Sequence, residues 1–238
     1  MINLKKIFKY LSIFIKSFTH RRISYSYGGV DSLILNIFKN KKKGFYVDIG
    51  CGHPIKNNNT YLLNKKGWKG INIDLDEGNI DLFNIYRIND ENIISAVTDE
   101  KKEVDLYFYH SKSAINTISK KTADYQKAQV SSVKKIKSNT LNEILKNSKF
   151  KNFQIDFLTI DVEGSELSVL KNFDFNEYKP KVIVVEHLDL SLPALEIKNL
   201  SINTVIVSDI YKLIVSKNYT LVNMLHSDLV FVNNKFRD

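Results

Sequence analysis

Apolar residues along this chain fall into short runs whose period switches repeatedly between that of a strand and that of a helix. FYVDIG (45–50), GINID (70–74), FLTIDV (157–162) and KVIVVEHL (181–188) are nearly continuous apolar segments of strand length. Such runs mark strands buried on both faces. NNNTYLLNKKG (57–67), TLNEILKN (140–147), SELSVLKNF (165–173) and DIYKLIVSKN (209–218) instead carry apolar residues at helical spacing. IISAV (93–97) and VDLYFYH (104–110) read as further strands. This alternation predicts an α/β fold, a mostly parallel sheet with helices on both faces. YTLVNML (219–225) and DLVFVNN (228–234) are joined by only a few residues around His226 and Ser227. A parallel crossover needs a dozen or more residues, so the last two strands are expected as an antiparallel hairpin.

Two segments precede the alternation. MINLKKIFKYLSIFIKSFTHRR places Leu4, Ile7, Phe8, Leu11, Phe14 and Phe18 at helical spacing, and SYSYGGVDSLILNIFKN reads as a turn and a short helix. The longest apolar run of the first segment falls far short of the ~20 residues that a membrane span requires. It also lacks the small-residue cleavage site of a signal peptide. Residues 1–24 are therefore expected to form a basic amphipathic helix and 25–238 a single domain. The helix either lies on an anionic membrane surface, apolar face down, or packs on the domain or a partner.

Charge sharpens this division. The 238 residues carry a net charge of +9, yet residues 1–43 hold ten Lys and Arg against one acid, Asp31. The remaining residues balance 25 bases with 25 acids. The basic character is thus N-terminal, and nucleic-acid binding, which needs a positive stripe on the main domain, is disfavoured. Cys51 is the only cysteine; no intrachain disulfide is available, which fits a reducing cytoplasm.

Candidate chemistry begins at Gly50-Cys51-Gly52-His53-Pro54. A P-loop would end in Gly-Lys-Ser/Thr, and a dinucleotide fold would supply a third glycine; neither is present. Asp48 just before the turn would repel a pyrophosphate but favour an ammonium or sulfonium. That contrast selects S-adenosylmethionine, whose amino-acid tail and sulfonium carry no phosphate. Asp74, at the end of the next strand, is placed to accept the ribose hydroxyls.

Asp161 and Glu163 share the parity of a strand running through residue 162, so both are expected on one face at its ligand-binding edge. Three roles fit them: holding the cofactor's ammonium, acting as general base toward a hydroxyl, or ligating a divalent cation. Glu163 or Ser165 could instead cap the following helix. Glu186 and His187 end the next strand on opposite faces. His187 is a candidate base or a structural histidine. No metal-ligand set is read from the spacing of His53 and His110.

These residues resemble the FkbM family of S-adenosylmethionine-dependent methyltransferases. The likeness runs from SYGGVDSLILNIF through FYVDIGCGHP, NTYLLNKKGWKGINIDLD, ISAV, FLTIDVEGSELSVLKNFDF and KVIVVEH to DLVFV. The resemblance implies a class I methyltransferase (Rossmann-like) fold with a seven-stranded sheet ordered 3-2-1-4-5-7-6. It implies methyl transfer to oxygen, on a sugar or a polyketide-type hydroxyl; together with the basic amphipathic N-terminus, it sets a sugar hydroxyl of a glycan or lipid-linked saccharide as the expected acceptor. Carried over, Asp48, Gly50, Cys51, Gly52 and Thr60 fall at the cofactor's amino-acid end and Asp74 at its ribose. Ala96 and Val97 fall at the adenine, with Asp161 and Glu163 between cofactor and acceptor. The turn GCGHP departs from the glycine-rich form common in the family. Competing readings are a non-catalytic cofactor-binding or membrane-associated scaffold, an RNA methyltransferase and an NAD-dependent oxidoreductase. The expected location is the cytoplasm, with membrane contact at the inner face through residues 1–22.

Overall fold

The computed structural model describes residues 4–19, 23–126, 128–192 and 194–237. In chain order, α1 (Leu4–Thr19) and α2 (Val30–Ile37) precede β1 (Phe45–Ile49), α3 (Tyr61–Lys65), β2 (Lys69–Asp74), α4 (Glu77–Tyr86) and β3 (Glu91–Ile94). β4 (Ala96–Thr98), β5 (Glu103–Phe108), α5 (Lys120–Tyr125), β6 (Ser132–Thr140), α6 (Leu141–Asn147) and β7 (Phe157–Ile160) follow. The chain continues through α7 (Glu166–Lys171), β8 (Val182–Glu186), α8 (Ile202–Val207), α9 (Asp209–Ser216), β9 (Tyr219–Leu225), β10 (Asp228–Asn233) and α10 (Asn234–Arg237).

Seven strands form one sheet in the order β3-β2-β1-β7-β8-β10-β9. This is the class I methyltransferase order expected above, and β10 runs antiparallel to both β8 and β9. The pleat explains how short apolar runs build two cores. Val47, Leu158, Ile183 and Phe231 lie in register across β1, β7, β8 and β10 and face one cluster with Leu141, Leu145, Val169 and Ile214. Their neighbours Tyr46, Phe157, Val182 and Val232 make the next row and face the other cluster with Val30, Ile34, Phe38 and Trp68. Each fully buried side chain of this size contributes about 1.5–3 kcal/mol, an upper figure for a compact unfolded chain. The sheet centre is therefore a stiff platform for the loops at its edge.

Several expectations are corrected. The helix read over 57–67 is only Tyr61–Lys65, because Asn58 accepts the Thr60 amide at 3.0 Å and so competes with helical pairing. The run 93–97 breaks at Ser95 into β3 and β4, which belong to different sheets. The strand through 162 stops at Ile160, so parity does not align Asp161 with Glu163. Helices α4 and α5 and strand β6 were not foreseen; β6 completes a small second sheet, β4-β6-β5. The N-terminal helix forms as Leu4–Thr19. Residues 1–3 and 20–22, with the side chains of Leu4 and Phe18, lie outside what the structure describes. Phe8 and Leu11 on that helix are 65% and 49% exposed. Among the described residues no helix is long and apolar enough to cross a membrane.

Candidate active site

A cleft of about 450 Å³ opens at the C-terminal edge of the parallel strands, within the range of small-ligand sites. Its floor is the turn after β1. Gly50 and Gly52 adopt φ of 75° and 56°, in the left-handed region that favours glycine. A Cβ on Gly50 would overlap the Asp161 carbonyl oxygen, whereas one on Gly52 would enter open space. The chain thus crosses β7 as closely as backbone permits at Gly50 and leaves a bare cradle at Gly52. Asp74 Oδ2 accepts the Gly52 amide at 2.8 Å and Oδ1 the Asp76 amide at 2.8 Å. Burial raises its carboxyl to about 6. Asp74 lines the cleft together with Cys51, Ala96 and Val97. A polar carboxylate edge beside a small apolar wall suits a ribose followed by a base.

Asp48 departs from expectation. It shares the pleat face of Tyr46, and that face turns it under the loop; neither it nor Thr60 is among the cleft-lining residues. Thr60 Oγ1 donates to Asp48 Oδ2 at 2.7 Å and Asn58 Nδ2 to the same oxygen at 3.2 Å. Behind them lies Arg87, only 2% exposed. Its guanidinium donates to Thr60 Oγ1, Asn58 Oδ1 and the Pro54 carbonyl, each at 2.6 Å. Burial pushes Asp48 up to about 6, against the opposing effects of Thr60, Arg87 and Asn58. Asp48 and Thr60 therefore act as the internal frame of the loop. The expected cofactor-facing acid lies elsewhere.

Besides Asp74, the acids that line the cleft are Asp161, Glu163, Glu186 and Asp228. Asp161 and Glu163 meet through a tight turn rather than a strand: Glu163 has φ 55° and Gly164 φ 94°. Thr117 Oγ1 donates to the Glu163 carbonyl at 2.7 Å. Glu166 Oε1 accepts the Val162 and Gly164 amides at 3.1 and 2.9 Å. A non-glycine residue held left-handed by so many partners is preorganised at some energetic cost. Burial, with the charges of Asp161 and Glu166 adding to it, raises Glu163 to about 8. Burial likewise raises Glu166 and Asp228, each to about 7, and pushes Glu186 upward, whereas Asp161 stays exposed on the open cleft.

Glu186, the last residue of β8, enters the cleft, and His187, just beyond the strand, does not. The His187 amide donates to the Ser227 carbonyl at 2.8 Å, and burial lowers its imidazole. Asp228, Glu186's register partner on β10, is with His226 only a weak candidate from the sequence, since it is the strand pairing that brings it there. Tyr27 and His226 form the mouth, edge to face with ring centroids 5.0 Å apart. Asp31, fully buried, ties down that approach by accepting from Ser24 Oγ and the Tyr25 amide, both at 2.6 Å.

A family model described as the methyltransferase FkbM domain matches residues 48–214. Among solved structures, a TehB-like SAM-dependent methyltransferase from Corynebacterium glutamicum aligns over 97% of this chain and 100% of its own. Its sequence identity is 11% and its TM-score 0.43. No curated protein matches.

Proposed function

Because the chain belongs to the FkbM methyltransferase family, we propose that it methylates a hydroxyl oxygen of a sugar, in a glycan or a lipid-linked saccharide. It is a methyltransferase and its cofactor is S-adenosylmethionine, which supplies an activated methyl group on a sulfonium. The residues present fit that cofactor. The Gly50–Gly52 cradle leaves room for backbone approach, Asp74 would accept the ribose hydroxyls, and Ala96 and Val97 would form the wall against the adenine. The carboxylates of the cleft lie where a cationic tail needs them.

One observation carries the choice of oxygen: acids that burial has made basic converge beside the cradle. Holding a hydroxyl in line with the methyl group supplies up to ~7–11 kcal/mol of the barrier. Removal of its proton by Asp161 or Glu163 adds a further ~10²–10⁴-fold. A carboxyl near 8, as for Glu163, is well matched to that task around neutral pH. Tyr27 and His226 at the mouth offer an aromatic face and a polar group to a saccharide. The main domain is neutral by count, which disfavours RNA as the acceptor.

The same reading extends to location. Helix α1 exposes Phe8 and Leu11 and its sequence bears four lysines and no acid. That pairing suits the surface of an anionic membrane, where a lipid-linked acceptor would be found. The test is transfer of labelled methyl from the cofactor to sugar nucleotides, lipid-linked saccharides and RNA in parallel. A base-stable methyl ether on a saccharide, lost in Glu163→Gln, is the expected product. Label on RNA, a base-labile methyl ester, or cofactor binding without any transfer overturns the reading.

A further inference from the structure

Four carboxylates line one end of the cleft, and among the described residues none of them forms an ion pair. Asp161, Glu163 and Glu186 each bring one oxygen within 4.8 Å of the other two. Glu186 also carries an orphan. Its Oε1 accepts from Ser227 Oγ at 3.2 Å, while Oε2 is closed off from solvent and meets no donor. Asp161 beside it is another acceptor when ionised, so it relieves Oε2 only by carrying a proton. A buried carboxylate oxygen without a donor is costly unless a cation or a metal takes it. The cofactor's sulfonium and ammonium, less its own carboxylate, bring one net positive charge to at least three acids.

We infer that Asp161, Glu163 and Glu186 bind one hard divalent cation of the Mg²⁺, Mn²⁺ or Ca²⁺ class. An all-carboxylate donor set selects such ions over soft ones. Three oxygens no more than 4.8 Å from one another lie at most ~2.8 Å from a common centre, a few tenths of an ångström outside a Ca²⁺–O bond at most, so small side-chain shifts let them share one ion of that size. Mg²⁺, with shorter bonds, draws them inward by several tenths of an ångström. The anchored turn at Val162–Gly164 holds Glu163 in place, and Asp161 faces the open cleft, leaving coordination positions for other oxygens. A cation there would polarise an acceptor hydroxyl and lower its pKa, leaving only a carboxylate oxygen that the cation does not hold to take the proton. That use rests on the oxygen-transfer reading above, whereas the binding itself does not.

The experiment is a Mn²⁺ titration of the full chain after chelator treatment, followed by electron paramagnetic resonance, with and without demethylated cofactor. One saturable Mn²⁺ per chain is expected, displaced by Mg²⁺ or Ca²⁺. Glu186→Gln and Glu163→Gln should each weaken it at least ~tenfold, the lower bound for damage even to outer-shell partners. Asp105→Asn, on exposed β5 against Lys135, should leave it unchanged. Both glutamine variants remove buried charge and should melt no lower than wild type, so a loss of binding is not a loss of fold. No saturable binding at millimolar Mn²⁺, or binding untouched by either glutamine variant, overturns the inference. Full methyl transfer by the chelated protein overturns the cation's role and leaves the methyltransferase reading intact. One bound Mn²⁺ without methyl transfer to any hydroxyl does the reverse.

Discussion

Replacing Arg87 by methionine should unfold the loop that frames the cofactor cradle. The guanidinium is buried and donates to Pro54, Asn58 and Thr60, and the last two in turn donate to Asp48. Methionine keeps most of the volume but strands Asp48 as a buried anion. Breaking a buried charge arrangement by removing one partner costs about 3–5 kcal/mol. For a chain of this size each kcal/mol lowers the melting temperature by ~2–4 °C, giving a drop of ~6–20 °C. The drop should depend on pH. Asp48 is raised to about 6 by burial, so its charged form destabilises the fold, and the penalty appears as pH rises above the usual carboxylate range. Without Arg87 the carboxyl rises further, and the variant's deficit widens between pH 5 and pH 8. Asp48→Asn in the Arg87→Met background should recover part of the loss at pH 8. Differential scanning fluorimetry at both pH values decides the matter. A drop below ~3 °C, an equal drop at pH 5 and 8, or no recovery in the double variant would refute the linkage of Arg87 to Asp48.

Gly50→Ala should lose cofactor binding and much of its stability, because its Cβ meets the Asp161 carbonyl. Gly52→Ala should cost only ~1–2 kcal/mol for its left-handed backbone yet weaken cofactor affinity as measured by calorimetry. The ligand-free protein should melt lower as pH rises from 6 to 8, since Asp74, Glu166, Asp228 and Glu163 are all raised by burial. Raised acids stabilise the fold only while they keep their protons, so Glu163→Gln should flatten that decline; a steeper melting curve in the variant would count against it. On α1, Phe8→Glu with Leu11→Glu should abolish flotation with phosphatidylglycerol vesicles while leaving methyl transfer to a soluble saccharide intact. Wild-type binding to such vesicles should weaken with salt, and equal binding to zwitterionic vesicles would remove the electrostatic part of the argument.

The sheet was legible because its central strands are apolar on both faces and its helices interrupt them at regular intervals. What escaped notice had mixed faces. Strand β6 reads SVKKIKSNT, and its exposed lysines conceal a one-sided strand. Helix α4 begins at Asp76, which caps the Gly78 amide at 2.8 Å, but Gly78 in its first turn weakened the helical pattern. Asp48 was misplaced although parity could have placed it: residues two apart share a face, and Tyr46 is a core residue. Arg87 had no signal at all, since a lone arginine after a helix reads as a surface charge until the fold closes over it.

The acids of the cleft were half legible, for a topological reason. Parallel strands deliver their last residues to one edge, so Asp74, Asp161 and Glu186 arrive there from β2, β7 and β8. Sequence shows each as an acid at a strand end, which is why Asp74 and Asp161 could be read in advance. The hairpin reverses the rule. Because β10 runs antiparallel to β8, its first residue, and not its last, reaches the same edge, and Asp228 stands opposite Glu186. Once the hairpin is deduced from its short connection, the start of its second strand becomes the place to look for the site's remaining charge. The antiparallel return thus adds a carboxylate to an edge that the parallel strands have already made acidic, and that excess is what a cationic cofactor and a bound cation would neutralise together.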